Sequence, residues 1–241
     1  MRPVDKNLFT LNKTTYKPYG DAKPDLISAL GNFCSYCERE GYSSALDVEH
    51  IEDKSTHPLK TYDWDNFLIA CKNCNSIKGT ELVDFPNIIL PYLSNTFSPF
   101  EYLESGLIKI KSKVDPVSAS KAQNLINLIG LDRRPGHSKF SIKDDRWQER
   151  KQAWELSKRY HDKFINKKCD IETIVDLALK SGFWSIWMNA FNDCTNVQIA
   201  LINSFAGTNK SHFTNLSKQK KNNFTLKFLL YPICKILKRM K

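Results

Sequence analysis

Apolar residues recur at three-to-four spacing through Ala122, Leu125, Ile126, Leu128 and Ile129 and stop at Gly130, the pattern of an amphipathic helix with a glycine cap. The same periodicity predicts helices over 144–164, 171–181, 183–192 and 197–205, so the second half of the chain reads as mainly helical. Elsewhere the period changes. In 106–114, Ile108, Ile110 and Val114 alternate with Lys109, Lys111 and Lys113, a period of two that predicts a short strand or hairpin arm. Asp47-Val48-Glu49-His50-Ile51 is a second apolar-flanked segment of strand character. The first 24 residues are polar and broken by Pro3, Pro18, Gly20 and Pro24, which predicts an extended arm leading into a short helix over 25–30. Residues 85–93 form a proline-punctuated apolar stretch, and the chain has no internal repeat.

With 241 residues and 41% hydrophobic content, the chain is long enough for one sizeable core or a small domain joined to a larger one, and it is not a disordered protein. The net charge of +10 points toward an anionic partner, but its distribution is uneven. From Cys194 to Lys241 there is no Asp or Glu, and nine Lys and Arg, so the body is nearly neutral and the tail basic. Residues 224–240 are apolar but interrupted by Lys227, Pro232 and Lys235, too short and broken to span a bilayer. Such a basic amphipathic segment suits a membrane surface, a partner or nucleic acid. Seven cysteines without a signal peptide suggest a reducing cytoplasm, where thiols bind metal or stay buried.

Four of those cysteines are arranged for metal. Cys34-Ser-Tyr-Cys37 and Cys71-Lys-Asn-Cys74 are two C-x2-C knuckles 33 residues apart, and four thiolates satisfy the closed tetrahedral coordination of structural Zn²⁺. Cys169, Cys194 and Cys234 have no such partners and read as ordinary thiols. Between the knuckles lies the Glu49-His50 pair, with Asp65-Asn66 downstream and Asn75 directly after the last knuckle cysteine. His57, in a polar loop before Pro58, reads as a surface residue.

Leu46-Asp47-Val48-Glu49-His50-Ile51, then Trp64-Asp65-Asn66, then Cys71-Lys72-Asn73-Cys74-Asn75-Ser76-Ile77-Lys78-Gly79 resembles a complete HNH ββα-metal motif with its cysteine knuckles. The resemblance implies an α+β fold: a zinc-stapled ββα-metal core with a mainly helical C-terminal region. It implies His50 as general base, Glu49 and Asn75 as ligands of one catalytic Mg²⁺ or Mn²⁺, and Asn66 as the residue that fixes the His50 loop. Lys54, Ser55 and Lys78 would contact nucleic-acid phosphate. Asp53 stands where many relatives carry Pro. The chemistry is consistent with this division, since a neutral imidazole takes a proton from water while a carboxylate stays ionised on a hard cation. The expected organisation is an arm and short helix over 1–33, the nuclease core over 34–95, a helical domain over 96–213 and the basic tail over 214–241.

Beyond that core, Met1-Arg2-Pro3, the stretch Tyr62-Asp63-Trp64-Asp65-Asn66, Leu131-Asp132-Arg133-Arg134-Pro135-Gly136-His137 and Gly182-Phe183-Trp184-Ser185-Ile186-Trp187-Met188 are similar to PtuB-like HNH proteins, nuclease subunits of Septu and related retron anti-phage systems. The wider resemblance covers about residues 1–213. It implies a PtuA-like ABC-type ATPase as partner, with a retron reverse transcriptase and its non-coding RNA/DNA in retron systems. No Walker A loop is present, so nucleotide dependence would come from another chain. Arg133 and Arg134, beside Pro135-Gly136 in an exposed turn, suit either nucleic-acid backbone contact or plain solvation. Phe183, Trp184, Trp187 and Phe191 read as core. Two rival readings stand beside the nuclease effector. One is a non-catalytic zinc-ribbon module that grips nucleic acid or a partner; the other is a stand-alone restriction or homing nuclease, for which no helix-turn-helix signature is visible. The motif leaves DNA and RNA, including tRNA, equally open as substrate.

Overall fold

The computed structural model describes residues 1–11 and 13–216. Most of the basic tail, with Cys234, lies outside them. The fold is mixed helix and strand: a ββα region carrying the four cysteines, followed by a mainly helical C-terminal half.

Strand β1 (Leu46–His50) pairs antiparallel with β2 (Phe67–Cys71), placing Leu46 opposite Cys71, Val48 opposite Ile69 and His50 opposite Phe67. Every residue of β2 is buried, which its unbroken run Phe67-Leu68-Ile69-Ala70-Cys71 requires. Helix α1 (Lys23–Leu30), opened by Pro24 in its first turn, and α2 (Lys72–Lys78), which starts directly after β2, both pack on this hairpin. Because side chains alternate along a strand, Asp47 and Glu49 share one face of β1, and both meet α2.

A second hairpin joins β3 (Phe100–Tyr102) to β4 (Ile108–Ile110). The period-two segment thus forms a strand of three residues, and Phe100–Tyr102 completes the pair that it needs. Helix α3 (Pro116–Ile129) carries all three signals its sequence offers: Asp115 accepts from the Ser118 backbone N–H at 3.0 Å, Pro116 fills the first position, and Gly130 takes the left-handed conformation at the end. It packs on α2. Helix α4 (Arg146–Ile165) is followed by α5 (Ile171–Ser181), capped by Asp170, then α6 (Trp184–Ala190) and α7 (Thr195–Ser204). Helix α6 starts one residue later than its periodicity predicts because Phe183 is left-handed (φ 55°), its N–H donating to the Glu38 carbonyl at 2.9 Å, and it ends two residues earlier, at Ala190.

Two apolar clusters fill the interior. One surrounds the ββα unit and α3; the other gathers Trp184, Trp187, Phe191, Val197 and Phe205 between α5, α6 and α7. The aromatic residues around 183–191 are therefore core, as their spacing indicates. The polar start of the chain is no loose arm. Val4 and Tyr16 are buried, and the Arg2 guanidinium lies 5.7 Å from the centroid of each of the paired Phe33 and Phe205 rings while donating to the Leu30 carbonyl at 2.7 Å and to the Ala206 carbonyl.

Candidate active site and metal centre

The two knuckles converge. Cys34 and Cys37 lie in a turn after α1, Cys71 ends β2 and Cys74 sits in the first turn of α2, so the ββα fold delivers all four sulfurs to one point. All are buried, every pair lies within 4.8 Å, and the Cys37 and Cys71 sulfurs are 3.6 Å apart. A tetrahedral zinc with bonds of about 2.3 Å spaces its sulfurs by roughly 3.8 Å, so the cluster fits that ion. Burial pushes the Cys34 and Cys74 thiols well above the ordinary range, whereas bonds from Cys34, Cys37 and Cys74 pull Cys71 down. Without a cation, the four sulfurs must share protons; a divalent ion replaces them.

Sequence reasoning missed the groups that brace this centre. Arg146, at the start of α4, points its Nη1 at the Cys74 sulfur from 3.1 Å. Its remaining donors go to Asp144 at 2.7 and 2.6 Å and to the carbonyls of Ile129 and Gly130. A zinc with four thiolates carries two net negative charges, and a buried guanidinium offsets part of that. Arg39 leaves the first knuckle to pair with Asp145 and Glu149. Glu38, buried beside Cys37, accepts from the Ser185 backbone N–H at 3.0 Å and its hydroxyl at 2.6 Å.

His50 ends β1, packed edge-on against Tyr19 and Phe67 at centroid distances of 4.8 and 5.1 Å. Its Nε2 stands 3.0 Å from the Thr61 carbonyl. A carbonyl oxygen only accepts, so Nε2 carries the hydrogen and a neutral ring keeps its lone pair on Nδ1. Burial lowers the pKa of the imidazole below its usual value, against the opposing pull of the Thr61 carbonyl. Asn66 ties the intervening loop at both ends: its Oδ1 accepts from the Glu52 N–H at 2.8 Å, and its Nδ2 donates to the carbonyls of Glu52 and Lys60 at 2.9 and 3.2 Å. Lys6 holds the turn that carries Asn66, donating to the carbonyls of Trp64, Asp65 and Phe67.

Glu49 is buried next to His50, and burial raises its carboxyl to about 7 against the pull of Lys78, whose Nζ stands 3.0 Å away. Its Oε1 is the oxygen that faces the Lys78 ammonium. Asn75 donates to Asp47 Oδ2 at 3.2 Å, so Asp47, two residues before Glu49 on the same strand face, joins the group. The set offers two carboxylates and an amide oxygen, the donor chemistry that suits a hard divalent cation.

One expected phosphate contact is overturned. Lys78 is 1% exposed, bound between Glu49 and the His50 carbonyl at 2.8 Å, and faces inward because the buried carboxylate needs a counter-charge. Lys54 is exposed, its ammonium 4.6 Å from the Tyr19 ring that flanks His50. Ser55 is turned onto Asp53, which its N–H reaches at 2.9 Å. Arg133 and Arg134 lie far along the chain in the turn after α3; Arg133 lines a cleft against α2 and Arg134 does not. His57 stands 3.4 Å from Glu52 in the loop, and Cys194 lies beside the His161–Asp193 pair rather than alone.

Residues 34–81 match the family model of the HNH endonucleases. This stretch is similar to an HNH domain. It spans both knuckles, β1, β2 and α2, and the HNH family acts on nucleic acid with divalent metal ions. A stretch of the chain is also similar to auxin-responsive protein IAA2 of Arabidopsis thaliana, 38% identical over 74 residues, which covers 28% of this chain and 40% of the relative. The chain thus spans less than half the length of that relative. No helix among the described residues is long and apolar enough to cross a membrane.

Proposed function

We propose that this protein is a metal-dependent HNH endonuclease that hydrolyses nucleic-acid phosphodiester bonds, with His50 as general base. The observation that carries the reading is the bond from His50 Nε2 to the Thr61 carbonyl, which fixes the tautomer and leaves Nδ1 to accept a proton. In the reaction, Nδ1 takes a proton from water as the water oxygen bonds to phosphorus. One P–O ester bond breaks, and the departing oxygen leaves with the electron pair and is protonated from solvent. Asn66 holds the Glu52–Lys60 loop and with it the carbonyl that orients the imidazole. Glu49 and Asn75, with Asp47 beside them, would hold the Mg²⁺ or Mn²⁺ ion. That ion, when bound, offsets charge on the phosphate and on the leaving oxygen. Lys78 favours the ionised form of Glu49 against the burial that raises its carboxyl to about 7.

The four-cysteine zinc serves as a staple, because thiolate fills every coordination position. The wider likeness to PtuB-like proteins supports a defence role for a four-part chain: arm 1–33, nuclease core 34–95, helical domain 96–213 and tail 214–241. In that role, a PtuA-like ABC-type ATPase licenses cutting, with a retron reverse transcriptase and its RNA/DNA as a further component, in the cytoplasm. The test is cleavage of plasmid DNA and of total tRNA with Mg²⁺ or Mn²⁺, comparing wild type with His50→Ala, each alone and with the ATPase. Cutting lost in His50→Ala by at least about 10²-fold is expected. No cutting by wild type under any condition, with zinc bound, overturns the enzyme in favour of a zinc-ribbon binding module.

A further inference from the structure

The loop after α3 folds back over the outer face of α2. Together they enclose a cleft of about 310 Å³, lined by Lys72, Asn73 and Ser76 on the helix side and by Arg133, Lys139 and Lys143 on the loop side. Its acidic neighbour, Asp144, is buried, with both oxygens committed to Arg146 at 2.7 and 2.6 Å, so its charge is cancelled. The other cations nearby are likewise spent: Arg146 on Asp144, Arg39 on Asp145 and Glu149, Lys78 on Glu49. Among the described residues, Lys72, Arg133, Lys139 and Lys143 have no ion-pair partner. The Arg133 side chain is laid across Gly130, where an added Cβ would meet its Cδ at 2.8 Å and its Cζ at 2.9 Å.

Four uncompensated cations around one concavity, with an amide and a hydroxyl between them, complement a polyanion rather than a single carboxylate. Ile77 is the apolar residue of the lining and no aromatic side chain belongs to it, so the cleft offers no platform for a stacked base. It is suited to backbone. Asn75 and Ser76 are neighbours on α2, and a helix is about 10 Å across, so a phosphate in the cleft lies roughly three base-pair steps from the candidate active site.

We propose that this cleft is a phosphodiester-backbone site that grips nucleic acid a few nucleotides from the bond presented to His50. The proposal rests on the nuclease reading and names how that site holds its substrate, without regard to base sequence. DNA and RNA share the chemistry.

The test measures binding without cutting. Fluorescence anisotropy follows labelled DNA and RNA duplexes of one sequence, titrated with zinc-loaded full-length His50→Ala and with the same chain carrying Arg133→Glu and Lys143→Glu. A second variant reverses Lys72 and Lys139, and a control reverses the exposed Lys158 and Arg159 on α4, which changes the net charge equally. Both cleft variants are expected to lose at least about tenfold in affinity at about 0.1 M salt, with the slope of log K against log salt reduced by about 2, while the control stays within about twofold. The duplex that shows the larger loss identifies the backbone preferred. Equal weakening in cleft and control variants, unchanged affinity in the cleft variants, or no binding to either duplex by the parent chain overturns the proposal. A chain that binds through the cleft yet never cuts leaves the cleft standing and removes the nuclease reading.

Discussion

His50 sits where two opposing demands meet: it must be buried enough to be held and open enough to receive a proton. Burial lowers its pKa and only the neutral ring is a base, while burial raises the Glu49 carboxyl to about 7, so the pH–rate profile of cleavage is expected to level off above about 7 and to fall on the acid side as first Glu49 and then His50 take up protons. A profile that rises steadily through pH 8 would assign the base elsewhere. Asn66 gives a distinct outcome, because its three loop bonds act on His50 only through the Thr61 segment. Asn66→Ala should lower kcat by about 10–100-fold with zinc content unchanged, as a misplaced base does. A change confined to KM would show that the loop binds substrate rather than positions the imidazole. Both positions were legible in the motif. Asp47 was not singled out in the motif, because its contact with Asn75 needed the strand and α2 placed together.

At the scale of elements, the zinc knuckles and α4 form one mechanical unit. Arg146 donates to the Cys74 sulfur from 72 residues away, and Arg39 pairs back onto α4. Arg146→Met, which keeps bulk and removes the charge, is expected to weaken zinc retention about 10–100-fold in competition with a chromogenic chelator, the usual effect of losing a group that steadies a metal ligand. Unchanged retention would mean that the guanidinium serves packing alone. Gly182 tests the other end of the same unit. Its φ is 71°, and a Cβ there would lie 2.6 Å from the Glu40 nitrogen and 2.7 Å from the Glu38 oxygen. Gly182→Ala should cost about 1–3 kcal/mol of stability by denaturant titration. The stop of α3 was readable in advance at Gly130 because a glycine after the last periodic residue is a local signal, whereas the Asp115 and Asp170 caps emerged with the structure. The late start of α6 was not readable, since a tertiary bond from Phe183 to Glu38 delays it.

For the molecule as a whole, the two apolar clusters are tied to each other by buried polar links, Arg2 against Phe33, Phe205 and the Leu30 carbonyl, and Glu38 onto Ser185 of α6. Zinc removal by chelator is therefore expected to loosen both halves, with amide exchange rising in β2 and α2 and also in α4 and α6, because folding and metal binding are coupled in such sites. Exchange confined to 34–81 would show the helical half to be independent. The amino-acid sequence by itself determined the parts whose code is short-range: the period of each helix, the Gly130 stop, the two C-x2-C knuckles and the order of Glu49, His50, Asn66 and Asn75. Only the tertiary structure decided which charges turn inward. Lys72 and Lys78 are identical letters six positions apart on one helix, yet one faces a basic cleft and the other is sealed against Glu49. Helical rotation separates their directions, but what waits in each direction, a buried carboxylate or the returning 131–143 loop, comes from residues remote in sequence. A local pattern carries no information about a partner that the chain brings in from elsewhere.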